Sequence, residues 1–286
     1  MNWILLTILT FISSIILYVL VRLGKSRNTQ PGVLNFSMFA LPSVLTAVYI
    51  LINDNLSFRI SPQHLLIIFV AALFFSYLGN FLSIKGIQYA KNPGFSLMIQ
   101  KSYGALTLFL APLFFKASID LKGILGTFLI IIFGVVLSFE KGKKIITREN
   151  KWISFTLGAF AAFALLTLTA KYLFINSVSV YTYLFYLMLF VTLFSLIQLT
   201  FKRKSLRLNN SLFLLILLIG LMSFLFNLFM NLALEAAPNI GYVNAANTGS
   251  IAALTVVSAI IFKDELNIQK LVGVFGIFLG LVLIFI

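Results

Sequence analysis

Long apolar runs, each cut off by a charge, a proline or an asparagine cluster, follow one another along this 286-residue chain. A helix needs about 20 apolar residues to cross a bilayer. Cutting at the polar breaks leaves ten runs of that order, near 3–22, 34–53, 64–84, 93–115, 122–139, 152–174, 178–201, 211–234, 240–262 and 268–286. Membrane barrel strands are short and alternate apolar with polar, whereas these runs are long and continuous. The pattern therefore predicts an all-α polytopic protein of ten transmembrane helices, numbered here as spans 1 to 10.

Composition agrees. The chain is 61% hydrophobic and 10% charged, against about half and a quarter for a soluble domain. Its mean hydropathy is +1.08, so lipid must cover a surface that polar groups cannot. The formal charge of +14 would suggest nucleic acid in a soluble protein. Here the cations sit between apolar runs, in "RLGKSR", "EKGKKIITRENK" and "FKRKSLR". The expected partners are therefore the bilayer and a small molecule, not nucleic acid. Lys and Arg concentrate after spans 1, 3, 5, 7 and 9, which places those loops in the cytoplasm and both termini outside. The first run lacks a basic leader and a small-residue cleavage site, and reads as a span of a cell (plasma or inner) membrane protein. With no cysteine and only His64, no metal cluster, thiol chemistry or cofactor is expected.

The chain also resembles itself. A shift of 147 positions lays Ser76 on Ser223, Asn80 on Asn227, Asn92 on Asn239, Gly94 on Gly241, and "FK" at 115–116 on "FK" at 262–263. A shift of 149 lays "NWI" at 2–4 on "KWI" at 151–153, and Arg22 on Lys171. The reading is a five-helix repeat over 1–139, a basic linker over 140–151 and a second repeat over 152–286. Five is odd, so the second copy must insert upside down relative to the first. Such inverted repeats can enclose a central cavity and open it to either side in turn, the plan of many secondary transporters.

The segment 231–286, "NLALEAAPNIGYVNAANTGSIAALTVVSAIIFKDELNIQKLVGVFGIFLGLVLIFI", resembles the EamA-type permeases of the drug/metabolite transporter superfamily. It has a helix ending in A-L-x-x-A-P, a next helix rich in small residues, an acidic turn at Asp264 and Glu265, and a final Gly-spaced helix. "SIKGIQYAKNPGF" and "LFFKASIDLKGILG" repeat this more loosely in the first half. The resemblance implies ten-helix carriers that move small organic metabolites by alternating access. Ala117 and Ser118 stand where the first half would carry its acidic turn. Many members of the family have cytoplasmic termini, opposite to what the charge count predicts here.

Polar side chains inside spans are costly and mark function or helix contacts. Asn244, Asn247, Thr248 and Ile251 share one face of span 9 at 3.6 residues per turn. The 147 shift sets Asn247 and Thr248 opposite Gln100 and Lys101 of span 4. Lining a substrate cavity and bonding neighbouring helices both remain open for these groups. Lys101 lies about 12 Å into its span at 1.5 Å per residue, and all seven acids lie in loops or at span ends. Asn80 and Asn227 complete the candidate set as repeat mates, with Tyr103 and Tyr242 as amphipathic walls alongside Tyr183 and Tyr186. Small multidrug exporters use a buried Glu in their first helix. Span 1 ("TILTFISSIIL") and span 6 ("TLGAFAAFALL") carry no acid, which favours a neutral, zwitterionic or anionic substrate such as an amino acid or carboxylate.

Gly273, Gly276 and Gly280 form a small-residue seam for helix packing or for a homodimer. The function expected is non-ATP membrane transport. The alternatives are a membrane enzyme acting on lipid-linked substrates, which lacks a carboxylate pair or nucleophile set, and a structural or channel subunit.

Overall fold

The structure is a computed structural model that describes residues 2–26, 31–90, 93–138, 151–201 and 210–286. All ten predicted spans are helices long and apolar enough to cross a membrane. Span 1 is Trp3–Ser26, span 2 Pro31–Ile52 and span 3 Pro62–Tyr89. Span 4 comes in two pieces, Pro93–Lys101 and Tyr103–Phe115, and span 5 is Leu121–Ser138. Spans 6 to 10 are Lys151–Ile175, Val180–Phe201, Asn210–Ala236, Ile240–Phe262 and Ile268–Phe285. Most of the basic linker, the cluster at 202–207, and Arg27, Lys91 and Asn92 lie outside the described residues.

The helices are arranged inside out relative to a soluble protein. On span 1, Leu5, Ile8, Ile12 and Ile16 form an exposed stripe one turn apart, while Thr7, Thr10, Ser13 and Ser14 are buried. Lipid solvates the stripe, and hydroxyls close their hydrogen bonds onto carbonyls of the same helix, such as Thr7 onto Trp3 at 2.7 Å. Helix starts carry local caps where loops expose backbone N–H groups. Ser61 accepts from His64, with Pro62 at the first helical position, and Asn267 accepts from Lys270.

The principal pairings have a regularity. Span 1 packs on span 8, and span 6 on span 3. Span 1 also meets span 9, and span 6 meets span 4; span 8 meets span 2, and span 3 meets span 7. Spans 2 and 7, 4 and 9, and 5 and 10 pair directly. Exchanging each span with the one five places away turns this set into itself. Spans 4 and 9 also end alike, each on a lysine in the left-handed region, Lys116 at φ 53° and Lys263 at φ 57°. That conformation is costly for a side-chain-bearing residue, and it recurs where the 147 shift superposes "FK" on "FK".

The glycine seam of span 10 faces inward. A Cβ on Gly280 would stand 2.7 Å from the Gly126 carbonyl oxygen of span 5, and one on Gly273 would stand 2.6 Å from Leu137 Cβ. Gly276 abuts the Phe133 ring. Span 5 thus occupies the face that the sequence left open for a second copy, because backbone contact with an internal neighbour uses up the small residues. Spans 5 and 10 make the outer pair; the other eight surround the centre.

Candidate functional site

Eight spans enclose a central cavity of about 180 Å³. Leu17 and Tyr18 of span 1 and Met38 and Phe39 of span 2 line it, facing Asn80 of span 3 and Lys101 and Tyr103 of span 4. Phe163 and Thr167 of span 6, Tyr183 of span 7, Asn227 of span 8 and Asn247 of span 9 complete the lining. Two repeat pairs converge there, Ser76 with Ser223 and Asn80 with Asn227.

Span 4 explains how Lys101 reaches the cavity. The helix breaks at Ser102, whose ψ is 3°. Ala105 N–H then donates to the Ser102 carbonyl at 3.0 Å, where a continuous helix would use that of Lys101. The Lys101 carbonyl accepts instead from Thr248 Oγ1 at 2.8 Å. Thr248 is therefore spent on backbone repair and does not line the cavity. The break also turns the two segments relative to each other, so Lys101 and Tyr103 both face inward although they are two residues apart.

The Lys101 ammonium donates to the Tyr18 hydroxyl at 3.3 Å and sits 5.5 Å from the centre of that ring. Among the described residues that line the cavity there is no Asp or Glu. Tyr18 is a partner that the sequence reading missed, because a tyrosine in an apolar run carries no periodic or repeat signal.

The asparagines spend their N–H groups on neighbouring carbonyls. Asn227 Nδ2 donates to the Ser223 carbonyl and Asn231 Nδ2 to the Asn227 carbonyl, both at 2.8 Å. Only an N–H can donate to a carbonyl, so each amide oxygen is left for another partner. Asn247 is 3% exposed, lines the cavity, and has its Oδ1 buried without a hydrogen-bond partner. Its amide also lies against the Tyr103 hydroxyl.

Three further candidates fall outside the lining, each for a local reason. Gln100 is fully buried in a polar knot, accepting from Ser83 Oγ at 2.5 Å and donating to Ser96 Oγ at 3.1 Å. Ser96 in turn meets Thr156 at 2.6 Å, so the knot ties spans 3, 4 and 6 together. Asn244 donates to Thr107 at 2.9 Å and Thr167 at 3.2 Å, and lies one layer behind the wall. Tyr242 accepts from the Asp120 backbone N–H at 3.0 Å and lies tilted against the Trp3 ring, clamping the loop between spans 4 and 5. For Gln100, Asn244 and Thr248 the role as bonds between helices prevails over the cavity role. Of the other tyrosines, Tyr183 lines the cavity, and Tyr186 donates to the Phe58 carbonyl at 2.9 Å.

A second, shallower cavity of about 310 Å³ lies between the loops joining spans 2 to 3 and 6 to 7, with Arg59, His64 and Asn176 in its lining. Thr182 borders this cavity and the adjacent Tyr183 borders the central one.

Ten long apolar helices around a polar, cation-bearing centre define a multi-pass membrane protein. Residues 150–286 match the model of the EamA-like transporter family, within the drug/metabolite transporter superfamily. Members of that family are transporters, not enzymes. A solved crystal structure has the same fold, with a TM-score of 0.79 and 11% identity over 98% of each chain. No curated protein matches the chain.

Proposed function

We propose that this protein is a secondary carrier in a cell membrane that moves a small carboxylate-bearing metabolite, zwitterionic or anionic, by alternating access. The observation that carries this reading is the Lys101 ammonium in a cavity whose lining, among the described residues, holds no carboxylate. A buried cation needs a counter-charge or strong acceptors, and one phenol supplies little of either. A substrate carboxylate would complete the site, as charge-assisted hydrogen bonds are the strong ones. A substrate ammonium would then find acceptors in Asn247 Oδ1 and the amide oxygens of Asn227 and Asn231. The cavity lies below the roughly 300 Å³ at which drug-sized pockets begin, so a metabolite of amino-acid size suits this conformation.

The carrier reading rests also on the halves. Residues 1–139 and 152–286 are taken as two inverted copies, joined by the linker at 140–151, whose basic loops face the cytoplasm. The self-exchanging span pairings, the twin left-handed lysines and the paired Ser76/Ser223 and Asn80/Asn227 support it. Two such copies can rock about the cavity and expose it to one face at a time.

Uptake into proteoliposomes tests the proposal with a panel of amino acids, carboxylates, amines and sugars. Saturable uptake of a carboxylate-bearing solute, recovered chemically unchanged, is the expected result. Uptake that never saturates would indicate a channel, and a modified solute would indicate an enzyme.

A further inference from the structure

The first span of each half ends near a cation, Arg22 in span 1 and Lys171 in span 6, and the 149 shift superposes them. Each stands close to the cavity wall: Tyr18 lies one turn before Arg22, and Ala170 immediately precedes Lys171. Arg22 grips Asp264 with both arms of its guanidinium, Nη1 to Oδ2 at 2.5 Å and Nη2 to Oδ1 at 2.7 Å. Its Cζ also stands 4.1 Å from the centre of the Phe262 ring. Phe262 and Asp264 flank Lys263, where span 9 ends, so this contact straps the end of span 1 to the end of span 9. Lys171 Nζ donates to the carbonyls of Leu234 at 2.9 Å, Glu235 at 2.8 Å and Ala237 at 3.3 Å. That contact straps the end of span 6 to the end of span 8. Because successive spans alternate in direction, the two straps lie on opposite faces of the membrane.

We propose that Arg22 and Lys171 are opposing latches, one for each mouth of the cavity, and that Asp264 weights their contest toward closing the mouth at the end of span 1. This rests on the carrier reading above. Spans 1, 6, 8 and 9 all line the cavity. The Arg22 strap joins the two halves, whereas the Lys171 strap joins two spans of the second half, so opening its mouth requires span 6 to part from span 8 within that half. The latches are unequal. The 147 shift sets Ala117 opposite Asp264, and Lys171 is held by backbone carbonyls, with the Glu235 carboxylate acting on it through its charge and not through a hydrogen bond. A bidentate guanidinium–carboxylate contact is stronger than bonds to neutral oxygens. Its side chains are 41% and 39% exposed, which limits the bias to about two- to fivefold in the equilibrium between the open forms.

The chain has no cysteine, so single thiols report each mouth cleanly. Leu17→Cys reads the mouth at the end of span 1, and Ala170→Cys reads the other. Each is labelled with a membrane-impermeant maleimide in proteoliposomes without any solute. Asp264→Asn is expected to raise Leu17→Cys labelling about two- to fivefold and to lower Ala170→Cys labelling by a similar factor. The exchange Arg22→Asp with Asp264→Arg is expected to restore both. Labelling that stays unchanged, or that rises at both sites together as in simple loosening, overturns the proposal. Because the readout needs no solute, absence of transport would refute the carrier reading while leaving the reciprocal shift to be judged separately.

Discussion

Two neighbouring residues, Gln100 and Lys101, show how finely placement separates roles. Gln100 ties spans 3, 4 and 6 through Ser83 and Ser96 and does not border the cavity. Gln100→Leu is therefore expected to cost about 1–2 kcal/mol of stability through lost buried hydrogen bonds. It should lower the melting temperature in detergent while the half-saturating solute concentration stays put. Lys101→Ala should do the reverse, with melting little changed and saturable uptake of carboxylates much weakened. The sequence made Lys101 legible as a charge far from any acid, and the 147 shift made Asn80 and Asn227 legible as a pair. Asn244 and Thr248 were misplaced at the cavity. Helical periodicity says which residues share a face, but not which neighbour that face meets. The break at Ser102, which diverts Thr248 to the Lys101 carbonyl, has no clear signature in "IQKSYGAL".

At the scale of helices, hydropathy located every span, because a bilayer imposes one length on all of them. It could not find the seven-residue π-helical stretch in span 3, Ala71–Tyr77. That stretch ends where Ser76 and Asn80 meet the cavity, and such bulges shift side-chain register at functional sites. Nor could it decide whether the glycines of span 10 face a partner copy or span 5. Gly280→Val puts new methyl groups against the Gly126 carbonyl, 2.7 Å from the first added carbon. Overpacking of this kind costs about 1–3 kcal/mol, and the lowered melting temperature should appear without any change in oligomeric state.

The loop after span 9 carries a pH prediction. Hydrogen bonding from Arg22 holds the Asp264 carboxyl below its usual range, with the Arg22 and Lys270 charges adding to the effect. A depressed carboxylate pKa contributes stability above the ordinary value and loses it as pH falls through the lowered one. The Arg22–Asp264 contact should thus be intact from about pH 8 to pH 5 and release only in stronger acid. Leu17→Cys labelling followed across pH checks this, and a rise near neutrality would contradict it.

For the whole molecule, the resemblance between the two halves of the sequence was the most informative pattern in the chain. An odd-membered repeat constrains topology before any coordinates exist. The self-exchanging packing of spans is what an inverted pair would produce. The correspondence under the 147 shift breaks down at the cavity. Lys101 faces the centre while its mate Thr248 does not, and Asn247 faces the centre while its mate Gln100 does not. A pseudo-symmetric shell around an asymmetric centre can let the two halves move alike while the substrate binds in one orientation.

The most direct test of this account compares three matched solutes: one with both ammonium and carboxylate, its amine lacking the carboxylate, and its acid lacking the ammonium. Competition against saturable uptake by the unaltered protein and by Lys101→Ala should rank the two carboxylates above the amine, and the variant should erase that ranking. If the amine competes best, or if Lys101→Ala leaves the order intact, then the ammonium of span 4 does not hold the substrate.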